Sequence, residues 1–153
     1  MTDEEFEKSL ARLKGDTARA SRYLPLEAGI GSLSLTFSNG PRLRAEYWRL
    51  IRDGKVGVSS FDDQQQYGLP AKIDSILELQ DALEGSPLEE ARFDYRTGDL
   101  LFHFASGVEV QVFSFTGFED WDITFPDGTG QLSNYARPYA PLKCLDGRTN
   151  SEN

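Results

Sequence analysis

The 153-residue chain has one cysteine, Cys144, and one histidine, His103. A lone cysteine excludes an internal disulfide framework, and one residue of each kind cannot assemble a Cys/His zinc site within one chain. A reducing compartment suits that count. Long apolar runs are also missing, since no stretch approaches the roughly 20 residues of a membrane span. The N-terminus, MTDEEFEKSL, has four acids among its first seven residues and no apolar core. That is unlike a signal or transit peptide, so a cytoplasmic location is expected. No GxGxxG, Walker A, HExxH or GxSxG sequence occurs. The usual residues for dinucleotide, phosphate, zinc-hydrolase and serine-hydrolase chemistry are therefore lacking, and no cofactor, metal or catalytic residue is assigned.

Bases are scarce where acids are dense. Net charge is −9, and it is unevenly spread: residues 1–61 carry 10 bases and 8 acids, residues 62–127 carry 3 and 15, and residues 128–153 carry 3 and 2. A central segment of net −12 repels phosphate backbones and anionic membranes and attracts cationic surfaces. The partner this favours is a basic protein, with no role for nucleic acid or membrane.

What the chain does contain is a repeat. Residues 31–40, GSLSLTFSNG, return at 98–107 as GDLLFHFASG, aligning Gly31 with Gly98, Leu35 with Phe102, Phe37 with Phe104 and Gly40 with Gly107. Both copies alternate apolar residues between glycine turns, as strands do. Such a duplication identifies scaffold rather than chemistry. The length fits a single domain, 1–153, of α+β class: mainly antiparallel sheet built from two meander units, with a helix before them and another between.

The segments follow from local signals. In 1–24, Thr2-x-x-Glu5 forms a capping box, and Phe6, Leu10 and Leu13 share a helical face. Gly15-Asp16 then recaps a second helical stretch to about Leu24, ended by Pro25. In 30–62, Leu33, Leu35 and Phe37 lead to an Asn39-Gly40 turn, RLRAEYWRLI returns as one strand, and Asp53-Gly54 turns into VGVSS. Gln64–Pro70 is a polar connection. In 73–85, Ser75-x-x-Glu78 caps a helix with Ile76, Leu77, Gln80 and Leu83 on one side, stopped by Gly85. In 88–136, LEEARFDY, LLFHF and VEVQVFSF form the second meander, WDITF follows with Trp121, Ile123 and Phe125 on one face, and QLSNYA adds a last strand. The tail, 144–153, lacks periodicity and is expected to be mobile.

Five acids stand out as partner-binding candidates: Asp62, Asp63, Glu119, Asp120 and Asp122. Alternation places Asp120 and Asp122 together, opposite Trp121 and Ile123, exposed and able to accept Arg or Lys from a partner. Asp62-Asp63 and Asp127 lie near one another if the two units are related by pseudo-symmetry. Nothing in the sequence splits their pKa values as acid/base chemistry requires. His103 has the parity opposite to Phe102 and Phe104, which makes it a half-exposed strand residue. Arg42–Lys55 interleaves five bases with Tyr47 and Trp48. Its expected use is pairing with the acidic segment.

The stretches WRLIRDGKV (48–56), SSFDD (59–63), TGDLLFHFASGVEVQVFSFTGFEDWDITFPDG (97–128) and SNYA (133–136) resemble a family of small uncharacterised bacterial proteins with two β-meander repeats. Some of these are immunity-like proteins encoded beside polymorphic toxins. The similarity runs from about Leu33 to Ala136. Gly117-Phe118-Glu119 stands where that family has Gly-Tyr-Glu, so a hydroxyl is lost. The resemblance implies a non-enzymatic protein that neutralises a basic toxin, such as a nuclease, by covering its cationic site. The alternative reading is a small-molecule binder or enzyme with a pocket between the units, lined by Tyr47, Trp48, Phe113, Phe115, Phe118 and Trp121, with Asp62, Asp63, His103 or Glu119 as polar groups.

Overall fold

The structure is a computed structural model that describes residues 1–133. Helix α1 (Asp3–Ala11) starts at the expected box: Thr2 Oγ1 accepts from the Glu5 amide at 3.1 Å, and the Glu5 carboxylate accepts from the Thr2 amide at 2.7 Å. Phe6, Leu10 and Leu13 are buried, as their spacing requires. The second helical stretch does not form. In its place β1 (Ala18–Arg22) buries Ala18 and Ala20 and exposes Arg19 and Ser21, with Arg22 half-buried, a period-two pattern whose small side chains give little signal in the sequence. Pairing along its whole length with β2 (Leu33–Phe37) decides the matter, because strand preference is set by neighbours.

The remaining elements are β3 (Arg42–Ala45), β4 (Trp48–Arg52), β5 (Lys55–Ser59), a 3-10 turn at Ser60–Asp62, α2 (Ser75–Leu83), β6 (Leu88–Asp94), β7 (Asp99–Phe104), β8 (Glu109–Val112), β9 (Trp121–Thr124) and β10 (Gly130–Leu132). They form two antiparallel five-stranded sheets, β1-β2-β3-β9-β10 and β5-β4-β8-β7-β6. The fold is α+β, with the second helix between the strand groups. QLSNYA contributes β10 through Leu132, and its last three residues, like the tail, lie outside the described residues.

RLRAEYWRLI is not one strand. It breaks at Glu46-Tyr47 into β3 and β4, which belong to different sheets. Leu43 and Ala45 face the core from one sheet, Trp48 and Leu50 from the other. The β4–β5 hairpin therefore leaves its own meander and pairs with β8, setting Leu50 opposite Val110. The β9–β10 hairpin makes the reciprocal crossing to β3, setting Ile123 opposite Leu43. Shifting every strand number by five converts one sheet order into the other.

The sheets face each other across one core, where the Phe37 and Phe102 rings stand 5.5 Å apart. Each helix bridges the two sheets at an edge. Helix α2 packs on β1 and β5. From α1, Phe6 meets Phe93 of β6 at 5.1 Å and Trp121 of β9 at 6.1 Å. Asp74, not Ser75, caps α2, accepting from the Leu77 amide at 3.1 Å. Leu77 faces outward, and Leu79 is buried with Ile76 and Leu83, which share its face at i, i+3 and i+7 spacing.

Candidate functional site: an acid-rimmed aromatic loop end

If the two halves are laid over one another by strand order, three connections depart from the match. The β1–β2 link covers 23–32, whereas β6–β7 is joined by 95–98. The β8–β9 link covers 113–120, whereas β3–β4 is joined by Glu46 and Tyr47 alone. The third is 60–74, between β5 and α2. These connections meet. The Gly29 amide donates to the Asp63 carbonyl at 2.7 Å and the Gly31 amide to the Ser60 carbonyl at 3.0 Å, while the Phe113 amide donates to Tyr47 at 2.9 Å and the Glu46 amide to Asp120 at 3.1 Å.

Two tryptophans anchor the base of this end. The Trp48 indole donates to the Gly31 carbonyl at 2.6 Å, and the Trp121 indole donates to the Gly98 carbonyl at 2.8 Å. Ser60 and Ser133 hydroxyls accept from the Trp48 and Asp120 amides respectively. Gly31 is needed for close approach: a Cβ there would lie 2.8 Å from Ser75 Oγ and 3.1 Å from the Ser60 Cα.

Above that base the apolar surface is open. Of the fourteen large hydrophobic residues exposed in the described chain, nine lie on the three long connections, so this end is the molecule's apolar surface rather than a random scatter. At its centre the Tyr47, Phe61 and Phe115 rings form a triangle with centroid separations of 5.7, 5.0 and 5.9 Å. Phe61 is 50% and Phe115 65% exposed.

Acids surround it. The three connections carry Glu27, Asp62, Asp63, Asp74, Glu119 and Asp120 against Lys72 alone. Glu46, at the crossover, makes no ion pair among the described residues; burial pushes its carboxyl above the ordinary range, and the Asp120 charge adds to the shift. Burial and the same carboxylates raise the Tyr47 hydroxyl. The Tyr23 hydroxyl is raised by burial and Glu46, against an opposing effect from Arg44.

The five candidate acids separate into two kinds. Asp63 is fully buried: its Oδ1 accepts from the Ser75 amide at 3.0 Å and hydroxyl at 2.8 Å, and both oxygens bond the Arg22 guanidinium. Burial pushes its carboxyl up, but the bonds from Arg22 and Ser75 outweigh this and hold it below the ordinary carboxylate range. Asp120 is buried as well, against the expectation of exposure. It precedes β9 and turns back to accept from the Thr116 amide and hydroxyl, each at 2.7 Å, so alternation does not govern it. Glu119 is exposed, Asp62 half-buried and Asp122 half-buried beside Arg44 at 3.3 Å. Asp62 accepts from the Ser59 amide at 2.9 Å and from the Tyr67 hydroxyl at 3.2 Å, whereas Asp127 takes Thr129; these acids serve separate turns.

Two of the five bases in 42–55 are used inside the molecule. Arg44 pairs with Asp122, and Arg49 donates to Gln111 at 2.6 Å with its guanidinium 5.2 Å from the Phe113 ring. The groups named for a pocket between the units are dispersed. Trp48 and Trp121 fill the core, Asp63 sits in its ion pair, and His103 lies half-buried on an outer sheet face between Glu109 at 3.2 Å and Glu89 at 3.5 Å. Sequence reasoning missed Phe61 and Glu46; an aromatic inside the polar SSFDD turn was the available signal for the first. No group of three His, Cys, Asp or Glu side chains suited to a metal ion occurs among the described residues, and no described helix is long and apolar enough to cross a membrane. No protein-family model, curated protein or solved structure matches the chain.

Proposed function

We propose that this chain is a partner-binding protein whose loop end docks a basic protein, on a frame produced by duplication of a helix-plus-five-strand unit. The observation that carries the reading is the Tyr47–Phe61–Phe115 triangle, two of its rings exposed, on connections rich in acids, with Glu46 beside it in no ion pair among the described residues. Aromatic anchors surrounded by charge of one sign fit a partner that offers an apolar centre and a Lys/Arg rim. Neutralising a toxin nuclease by covering its cationic site is the form of this activity to which the family resemblance points. Phosphate-bearing ligands fit poorly, because the rim repels them.

The test compares wild type with the double variant Phe61→Ser, Phe115→Ser, both checked for native circular dichroism, as baits for proteins co-expressed from the source genome. Wild type should retain a basic protein that the variant loses and that salt elutes, since charge-steered association weakens with ionic strength. Equal capture by both baits would place any binding elsewhere and overturn the proposal.

A further inference from the structure

The reciprocal crossing of the two hairpins has a consequence for assembly. Residues before the 64–73 connection supply β1, β2 and β3 to one sheet and β4 and β5 to the other; residues after it do the converse with β6 to β10. Each half alone leaves β3 or β8 without its neighbour and opens the shared core, because Leu43 needs Ile123 and Leu50 needs Val110. The halves are therefore complementary surfaces, joined covalently only through this one connection. We infer that two copies of this chain exchange halves about residues 64–73 to form an interlocked dimer.

Every strand pairing and both helix contacts are retained when the second half is supplied by another copy. What changes is the connection itself. In the closed chain it doubles back, with the Gln64 amide donating to the Ile73 carbonyl at 2.7 Å and the Ile73 amide to the Gln65 carbonyl at 2.8 Å. Two of the three non-glycine residues with positive φ in the described chain fall here, Gln64 at 60° and Tyr67 at 46°. Side chains disfavour that region, so extending the connection relieves strain while costing the local turn and the packing of Ile73 against the core. Ten residues extended reach roughly 33 Å, ample for crossing to a neighbouring body. The Asp63 clamp lies just outside the connection and is rebuilt, with Arg22 from its own half and Ser75 from the other copy. The loop-end surface is also rebuilt across copies, since Tyr47 and Phe61 precede the connection and Phe115 follows it. Exchange of identical elements is a low-cost route to dimers.

The experiment uses full-length chains carrying Leu43→Asp in one and Val110→Asp in the other, two fully buried positions. Alone, each should refold without native near-ultraviolet dichroism. Refolded together, they should regain it in a species of twice the chain mass, because one intact sandwich forms from the unaltered half of each. A mixture as unfolded as its components, under conditions where wild type refolds, would overturn the inference. As a second measurement, wild type refolded at high concentration should give a dimer by light scattering that persists on dilution and returns to monomer only after denaturation. Monomer at every concentration would equally overturn it.

Discussion

Asp63 holds a charge at full burial because its two oxygens are satisfied by a planar guanidinium and by the first amide and hydroxyl of α2. One side chain of the 60–74 connection thus holds the end of β1 and the N-terminus of α2. Removing one member of a buried pair leaves the other uncompensated, so Asp63→Asn should cost about 3 kcal/mol at pH 7. The pH dependence follows from the direction of the shift. The folded carboxyl lies below its unfolded value of about 3.9, so its contribution is complete above that pH and is lost as pH falls through the folded value. Urea melts of wild type and variant should thus differ at pH 7 and converge toward pH 3. A constant difference at both pH values would mean that shape, not charge, sets the cost.

At the level of elements, α2 shows how helical spacing assigns a face. Ile76, Leu79 and Leu83, at i, i+3 and i+7, are buried, while Leu77 lies 55% exposed. Leu79→Ala should therefore lose about 3 kcal/mol, and Leu77→Ala within about 0.5 kcal/mol, in paired thermal or urea melts. The reverse order would place Leu77, not Leu79, in the core. The long connections follow a different rule, for their backbone amides bond to one another across elements. That lets them present aromatics to solvent while remaining fixed, which suits preorganised binding.

For the whole molecule, the interlocked sheets predict a single unfolding transition. Each tryptophan anchors a hairpin that belongs by sequence to one half and by pairing to the other, so neither half can melt first. In the single-tryptophan variants Trp48→Phe and Trp121→Phe, fluorescence and far-ultraviolet dichroism should give one coincident midpoint, whereas separate midpoints would show independent halves. The sequence by itself determined the α+β class, the first helix with its capping box, the β6–β7–β8 meander and the central excess of acid, because these are set by near neighbours, by period and by composition. It also contained the sign of the crossing. Buried positions run on odd numbers through Leu43 and Ala45 and on even numbers through Trp48 and Leu50, a slip of one that a single strand cannot accommodate. Only the tertiary structure decided which sheet each hairpin joins, since that depends on partners sixty or more residues away in sequence, such as Leu50 with Val110 and Leu43 with Ile123. It alone decided the fate of the acids as well. Asp63 is drawn inside by Arg22 and Ser75, groups that no local pattern ties to it, and Glu46 is left at the surface beside aromatics that three separate connections bring together.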